Sequence, residues 1–362
     1  MSISFNKSSR HFVLAAGGTG GHVMPAIGLA QELYKRGHSV KLITDDRGVA
    51  FEGRPDFLET HIIPSGRYQK NPIKWPREIR AILRGWRVSK ELFGNFQPTA
   101  VVGFGGYPAL PAMLAARSMG IASVIHEQNA VLGRTNRLLV PRVNAVATAF
   151  KKIGFLKAKY QHKTHLIGNP VRDSILSLRG NEFPHYGEDS PLKILVSGGS
   201  QGAKFLSDVV PFALSLLPAE IRERTEVIQQ CRPEDIETVR TIYRTNGVHA
   251  HLSPFFSDID AKLADCHLFI GRAGASTIAE LTIVGRPAIL IPLPIATDDH
   301  QTANCQEMVN AGAAKMIKQP RSDFSDTRGT SRSENIQSSH IVDERDKFTN
   351  KVVEEIQKMI LS

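Results

Sequence analysis

The sequence has few cysteines: Cys231, Cys266 and Cys305 are scattered along 362 residues, and no CxxC pair occurs. That argues against a disulfide framework or a cysteine-built zinc site, and a reducing cytosol is the simpler setting. No apolar run approaches the ~18 residues of a membrane span. The longest candidate, residues 284–296, is broken by Arg286 and three prolines. A signal-peptide pattern is also missing, because residues 12–16 are too short for a hydrophobic region and run straight into glycines. A soluble or peripheral protein is therefore expected. Three phosphate-handling signatures are incomplete or absent. The first glycine loop lacks the third glycine of GxGxxG, the second lacks the Lys-Ser/Thr of a Walker A loop, and no DxD-type acid pair stands at a predicted strand end beyond Asp45-Asp46.

What is present is two glycine loops, each hung on an apolar strand. Residues 12–16 lead into Gly17-Gly18-Thr19-Gly20-Gly21-His22, and residues 192–196 lead into Ser197-Gly198-Gly199-Ser200-Gln201-Gly202-Ala203. Strand, glycine turn and helix start together form an anion site, because free N–H groups point outward and glycine admits a close phosphate. The loop occurs twice, about half a chain apart, which suggests two similar α/β domains, as the length also does. Strands are expected near 39–44, 100–102, 123–125, 145–147 and 165–167 in the first half. In the second half they are expected near 192–196, 226–229, 250–252, 268–270 and 288–291. This alternation with helical patterns implies parallel, doubly wound sheets, whose ligands bind at the carboxyl ends of strands. Pro25 is expected in the first turn of the first helix. Residues 318–347 are polar and lack periodicity, so a loop or disorder is expected there, followed by a helical stripe of Phe348, Val352, Val353, Ile356, Met359 and Ile360.

The formal net charge of +10 fits nucleic acid, anionic lipid or phosphorylated substrates without choosing among them. Much of it lies in one stretch, where Arg67, Lys70, Lys74, Arg77, Arg80, Arg84, Arg87 and Lys90 are opposed by Glu78 alone. Trp75, Ile79, Ile82, Leu83 and Trp86 are interleaved at helical spacing. This is a membrane-interface signature, and the competing reading is a stripe that faces its own core. His22 stands at a helix start, where the dipole favours an uncharged imidazole able to act as a general base. A histidine that only hydrogen-bonds its loop has the same spacing. Glu280 follows the turn Gly271-Arg272-Ala273-Gly274 by about a turn and a half, where it could chelate ribose hydroxyls or simply complement the helix dipole. Asp298-Asp299-His300-Gln301 is too clustered for a metal site and reads better as a sugar-contacting loop.

These motifs resemble one family. Gly17-Gly18-Thr19-Gly20-Gly21-His22-Val23-Met24-Pro25-Ala26, Gly103-Phe104-Gly105-Gly106-Tyr107-Pro108, His126-Glu127-Gln128-Asn129 and Gly168-Asn169-Pro170-Val171-Arg172 are similar to motifs of the MurG family, the N-acetylglucosaminyltransferases of peptidoglycan synthesis. So are Gly198-Gly199-Ser200-Gln201-Gly202-Ala203, residues 271–280 and Asp298-Asp299-His300-Gln301-Thr302-Ala303-Asn304. The resemblance covers about residues 10–317 in the family's order. It implies a GT-B fold of two Rossmann-like domains. Residues 10–168 would form the acceptor- and membrane-facing domain and 169–317 the UDP-sugar domain, with helix 348–361 packing back on the first.

The implied reaction is inverting transfer of N-acetylglucosamine from its UDP donor to the muramoyl 4-hydroxyl of undecaprenyl-pyrophosphoryl-N-acetylmuramoyl-pentapeptide (lipid I), giving lipid II. It would take place at the cytoplasmic face of the bacterial inner membrane, on an anionic surface. The resemblance implies no cofactor or metal and no nucleic acid, and it admits cell-wall synthesis proteins as partners. It places Thr19, Gly20, Gly21, Asn129, Arg172, Ser200, Phe256, Ala275, Ser276, Thr277, Ile278, Ala279, Glu280 and Gln301 at the donor, with Phe256 acting through its backbone. His22, Tyr107 and Glu127 would lie near the acceptor, with His22 as the base and Glu127 in reserve. Rival readings are a UDP-N-acetylglucosamine 2-epimerase, a glycolipid glycosyltransferase, an oxidoreductase using the first loop with Asp45-Asp46, and a nucleotide-sugar-binding subunit without turnover. After Ile317 the sequence departs from the family, which usually carries leucine-rich helices there.

Overall fold

A computed structural model describes residues 9–18, 20–49, 54–66, 71–187, 190–199, 202–320 and 338–361. The chain divides into two units, Met1–Asp173 and Ser174–Ser362, each built on a parallel sheet. In the first, β1 (His11–Ala15), β2 (Ser39–Thr44), β3 (Glu59–Ile62), β4 (Ala100–Gly103), β5 (Ala122–Glu127), β6 (Ala145–Thr148) and β7 (Thr164–Leu166) lie in the order β3-β2-β1-β4-β5-β6-β7. The second contains β8 (Leu192–Ser197), β9 (Thr225–Gln230), β10 (His249–Ser253), β11 (Leu268–Gly271), β12 (Ala288–Leu290) and β13 (Ala314–Met316), in the order β10-β9-β8-β11-β12-β13.

The apolar runs of β1 and β8 suit strands covered on both faces. In β1 alternate residues serve separate cores. Val13 and Ala15 join Ile43, Val101, Ile125 and helix Ala109–Ser118, while Leu14 joins Leu42, Phe104 and helix Gly20–Lys35. In each sheet the strand order reverses beside the glycine-bearing strand, between β1 and β4 and between β8 and β11, which is where open α/β sheets bind ligands. Register brings the loops together there: Ala15 pairs with Gly103, and Ser197 pairs with Gly271.

Several boundaries differ from the sequence reading. The strands β3 and β13 were not expected. Both are short edge strands whose sequences, ETHI and AKM, lack an apolar run. Helix Gly20–Lys35 starts ahead of Pro25, so the proline lies inside it and not in its first turn. The division after Asp173 leaves Arg172 in the first unit.

The C-terminal helix runs Ser338–Leu361, so it takes in residues expected to be loop, while residues 321–337 of that segment lie outside the described residues. The helix was also expected to pack on the first domain. Instead Phe348, Val352, Val353 and Ile356 complete the core of the second unit, with the Phe348 ring edge-on to Phe205 at 4.9 Å. The physical reason is that helix Lys204–Ser215 presents an apolar face that this helix covers.

Candidate active site

In the first unit the site grows from contact between two loops. Gly17 N donates to Gly105 O at 2.9 Å and Phe104 N donates to Ala15 O at 2.8 Å, so the chain leaving β1 lies against the chain leaving β4. A Cβ on Gly17 would sit 2.7 Å from Gly106 Cα, and Gly105 and Gly106 hold φ of +89° and +76°. Backbone meets backbone here, and only glycine permits both the approach and the left-handed conformation. Thr19 lies outside the described residues. Gly20 and Gly21 open the helix, and His22 follows in its first turn, half-buried.

From His22 a line of hydrogen bonds runs inward. His22 Nδ1 meets Gln128 Oε1 at 3.1 Å, Gln128 Nε2 meets His126 Nδ1 at 3.0 Å, and His126 Nε2 meets Gly168 O at 2.9 Å. Gln128 is fully buried and His126 is 2% exposed. Burial pushes the His126 imidazole down to about 4, against a smaller upward pull from the Gly168 carbonyl, so the ring is neutral at pH 7. Next to it in sequence, Glu127 is 1% exposed and turns the other way. Its carboxylate accepts from Asn129 N at 3.1 Å, Asn129 Nδ2 at 3.3 Å, Gly133 N at 2.8 Å and Asn136 Nδ2 at 2.8 Å. The sequence-predicted Asn129 is thus joined to Glu127. Tyr107 follows the second glycine loop, half-buried. Arg172 immediately precedes Asp173, which ties the chain to the first helix: its N–H donates to Gln31 Oε1 at 3.2 Å and its carboxylate pairs with Lys35 at 2.6 Å.

In the second unit, Ser200 and Gln201 lie outside the described residues, and the flanking turn is organised from β8. Ser197 Oγ donates to Gln230 Oε1 at 3.0 Å and accepts from Gly199 N at 3.3 Å. Gly271 closes β11 so near the Ser197 carbonyl that a Cβ would collide with it. Helix Ala275–Val284 follows, with Gly274 as N-cap in an extended conformation. Its first-turn amides have no intrahelical acceptors, which makes the helix start suited to an anion.

The Ala275 and Ile278 side chains are buried in the core, so at this helix start these two residues have only backbone to offer. Ser276 and Glu280 are four apart, on one face. Gln301 Oε1 accepts from Leu293 N at 2.9 Å, and the Phe256 ring is buried beside Lys262. Arg272 is a strut: its guanidinium donates to Ile291 O at 3.1 Å and to Gln319 Oε1 at 2.7 Å. Asn304, buried in helix His300–Asn310, donates to Ala273 O at 3.2 Å and steadies the same turn. Among the described residues no group of three or more His, Cys, Asp or Glu is placed to hold a metal ion.

Sequence reasoning gave no role to Gln128, Asn136, Arg272, Gly168 or Asn304. Four of these lie inside motifs it quoted. Asn136 lies on a short helix and carries no signal of its own.

Helix Trp75–Phe96 divides the basic stretch. Trp86 packs against the core, whereas Trp75, Ile79 and Leu83 are 50%, 54% and 50% exposed beside exposed Arg77, Arg80, Arg84 and Arg87. Arg67 and Lys70 lie outside the described residues. No described helix is long and apolar enough to cross a membrane.

Two parallel-sheet units with glycine turns at their switch points form the architecture of the GT-B class. Residues 12–148 match the glycosyltransferase family 28 N-terminal domain and residues 193–326 its C-terminal domain. A protein of Erythrobacter litoralis is 61% identical over 314 residues, which is 87% of this chain and 79% of the relative. One of Novosphingobium aromaticivorans is 58% identical over 311 residues, 86% and 80% of the two chains. Both are named UDP-N-acetylglucosamine–N-acetylmuramyl-(pentapeptide) pyrophosphoryl-undecaprenol N-acetylglucosamine transferase. The crystal structure of Acinetobacter baumannii MurG is 30% identical, spans 96% of this chain and 99% of its own, and has a TM-score of 0.66. The chain belongs to this MurG family of N-acetylglucosamine transferases.

Proposed function

We propose that the protein transfers N-acetylglucosamine from UDP-N-acetylglucosamine to lipid I, yielding lipid II. The observation that carries this reading is the 61% identity to a transferase of that name across most of both chains. The loop geometry described above is compatible with it.

In the second unit, the helix start at residues 275–277 and the turn after β8 would hold the diphosphate, and Glu280 the ribose. Phe256, with its side chain buried, would offer backbone to the base. N–H groups fixed at these turns stabilise charge as UDP leaves. In the first unit, His22 takes the proton of the muramoyl 4-hydroxyl as it attacks the anomeric carbon. Glu127 has its lone pairs occupied by N–H donors, so its role is to position residues 127–136 and not to remove the proton. The exposed residues of helix Trp75–Phe96 would hold the enzyme at the cytoplasmic face of the membrane as a peripheral protein.

The test is UDP release with and without lipid I. Release that requires lipid I and produces a disaccharide-lipid is expected. UDP release or 2-epimerised sugar without the lipid would instead identify an epimerase, and no turnover a binding subunit.

A further inference from the structure

We infer that Gln128 and His126 are positioning residues that hold the His22 imidazole in its Nδ1–H tautomer, so that its Nε2 lone pair is the proton acceptor. The inference rests on His22 being the base.

The Gly168 carbonyl only accepts, so the hydrogen bond at 2.9 Å requires a proton on His126 Nε2. The His126 ring is neutral, as its burial dictates, and therefore has a bare Nδ1. That nitrogen needs a donor, and the Gln128 amide supplies one at 3.0 Å. The same amide nitrogen donates to His126 O, also at 3.0 Å, so two acceptors fix which way the carboxamide faces. Its oxygen must then point to His22 Nδ1, at 3.1 Å, and an oxygen there requires Nδ1 to carry hydrogen. Neutral His22 is left with its lone pair on Nε2.

The ring is also held by shape. A Cβ on Gly105 would come within 3.1 Å of His22 Cε1 and 3.3 Å of Nδ1, so the imidazole lies against a position that has no side chain to displace it. A buried glutamine with both amide functions committed to histidines is costly to place unless each hydrogen bond is made, so the arrangement has one consistent set of donors.

The tautomer is directly observable. Nitrogen-15 NMR of the full chain with labelled histidine, assigned with His22→Ala and His126→Asn, should show His22 protonated at Nδ1 and bare at Nε2 in the neutral form. A wild-type ring protonated at Nε2 overturns the inference without reference to any variant. Gln128→Leu removes the acceptor; it should abolish the Nδ1–H preference and lower kcat on the order of 10–10²-fold, a fraction of a general base's whole contribution. KM for UDP-N-acetylglucosamine should stay within about two-fold, since tautomer choice acts on proton transfer and not on donor binding. An unchanged tautomer in Gln128→Leu also overturns it. If that variant does not fold, the wild-type spectrum decides.

His22→Ala tests the underlying reading separately. A loss of about 10²–10⁴-fold is what a general base requires. Normal turnover would remove the proton-acceptor role, and with it the relay's purpose, even with the Nδ1–H spectrum in place.

Discussion

A buried carboxylate that accepts four N–H bonds stabilises the loop that wraps it. Glu127 is such a group, and its donors come from Asn129, Gly133 and Asn136. Glu127→Ala would leave buried donors without an acceptor, so it should lower the unfolding free energy by about 2–4 kcal/mol, more than one ordinary hydrogen bond is worth. Urea denaturation followed by circular dichroism measures this. An unchanged midpoint together with lost turnover would return Glu127 to the chemistry. The glycine turns were legible because each is hung on an apolar strand, whereas His22 and Glu280 each had a plain structural reading at the same spacing. The partners of His22 and Glu127 were not legible, because Gln128 and Asn136 gain meaning only when β5 is folded and residues far apart in sequence meet.

Among the elements, helix Trp75–Phe96 shows how far periodicity reaches. Its spacing predicts an apolar stripe with a basic flank, and the helix is there, but the stripe serves two purposes. Trp86 faces the core, while Trp75, Ile79 and Leu83 face outward. Replacing Arg77, Arg80, Arg84 and Arg87 with glutamine should weaken binding to anionic vesicles by on the order of 1 kcal/mol for each arginine at the surface. Binding that remains should depend less on salt, and stability should hold. Trp75→Ala should act on vesicle binding in the same way, whereas Trp86→Ala should lower the melting temperature. Vesicle sedimentation and thermal melts on the same samples separate the two effects, and loss of stability in the arginine variant would make the flank structural. Central strands were legible from their apolar runs. The edge strands β3 and β13 were not, since a strand paired on one side tolerates polar residues. The C-terminal helix was visible in its stripe, but the surface it covers belongs to residues 204–215 and cannot be inferred from the stripe itself.

For the whole molecule, acid should be the weak point. His126 in the first unit titrates near 4 when folded and near 6.5 when unfolded, so the unfolded chain binds more protons between those values. Stability therefore rises with pH in that window: this contribution is complete above 6.5 and lost as pH falls toward 4. Burial pushes His267 in the second unit down as well, with the same sign. From pH 7 to pH 5, His126 alone should cost about 2 kcal/mol of stability. Denaturant midpoints at the two pH values should show the fall, and His126→Asn should show less of it; an equal fall in both would remove His126 as its source. The close approach of Gly17 to Gly106 orders events in synthesis. A chain still on the ribosome has no fixed first loop until residue 106 has emerged and β4 lies beside β1. The hydrogen-bond line from His22 is not closed until residue 168 has followed. The hydrogen-bonded cluster around His22 is thus among the last things translation of the first unit completes, although His22 itself is made long before its partners.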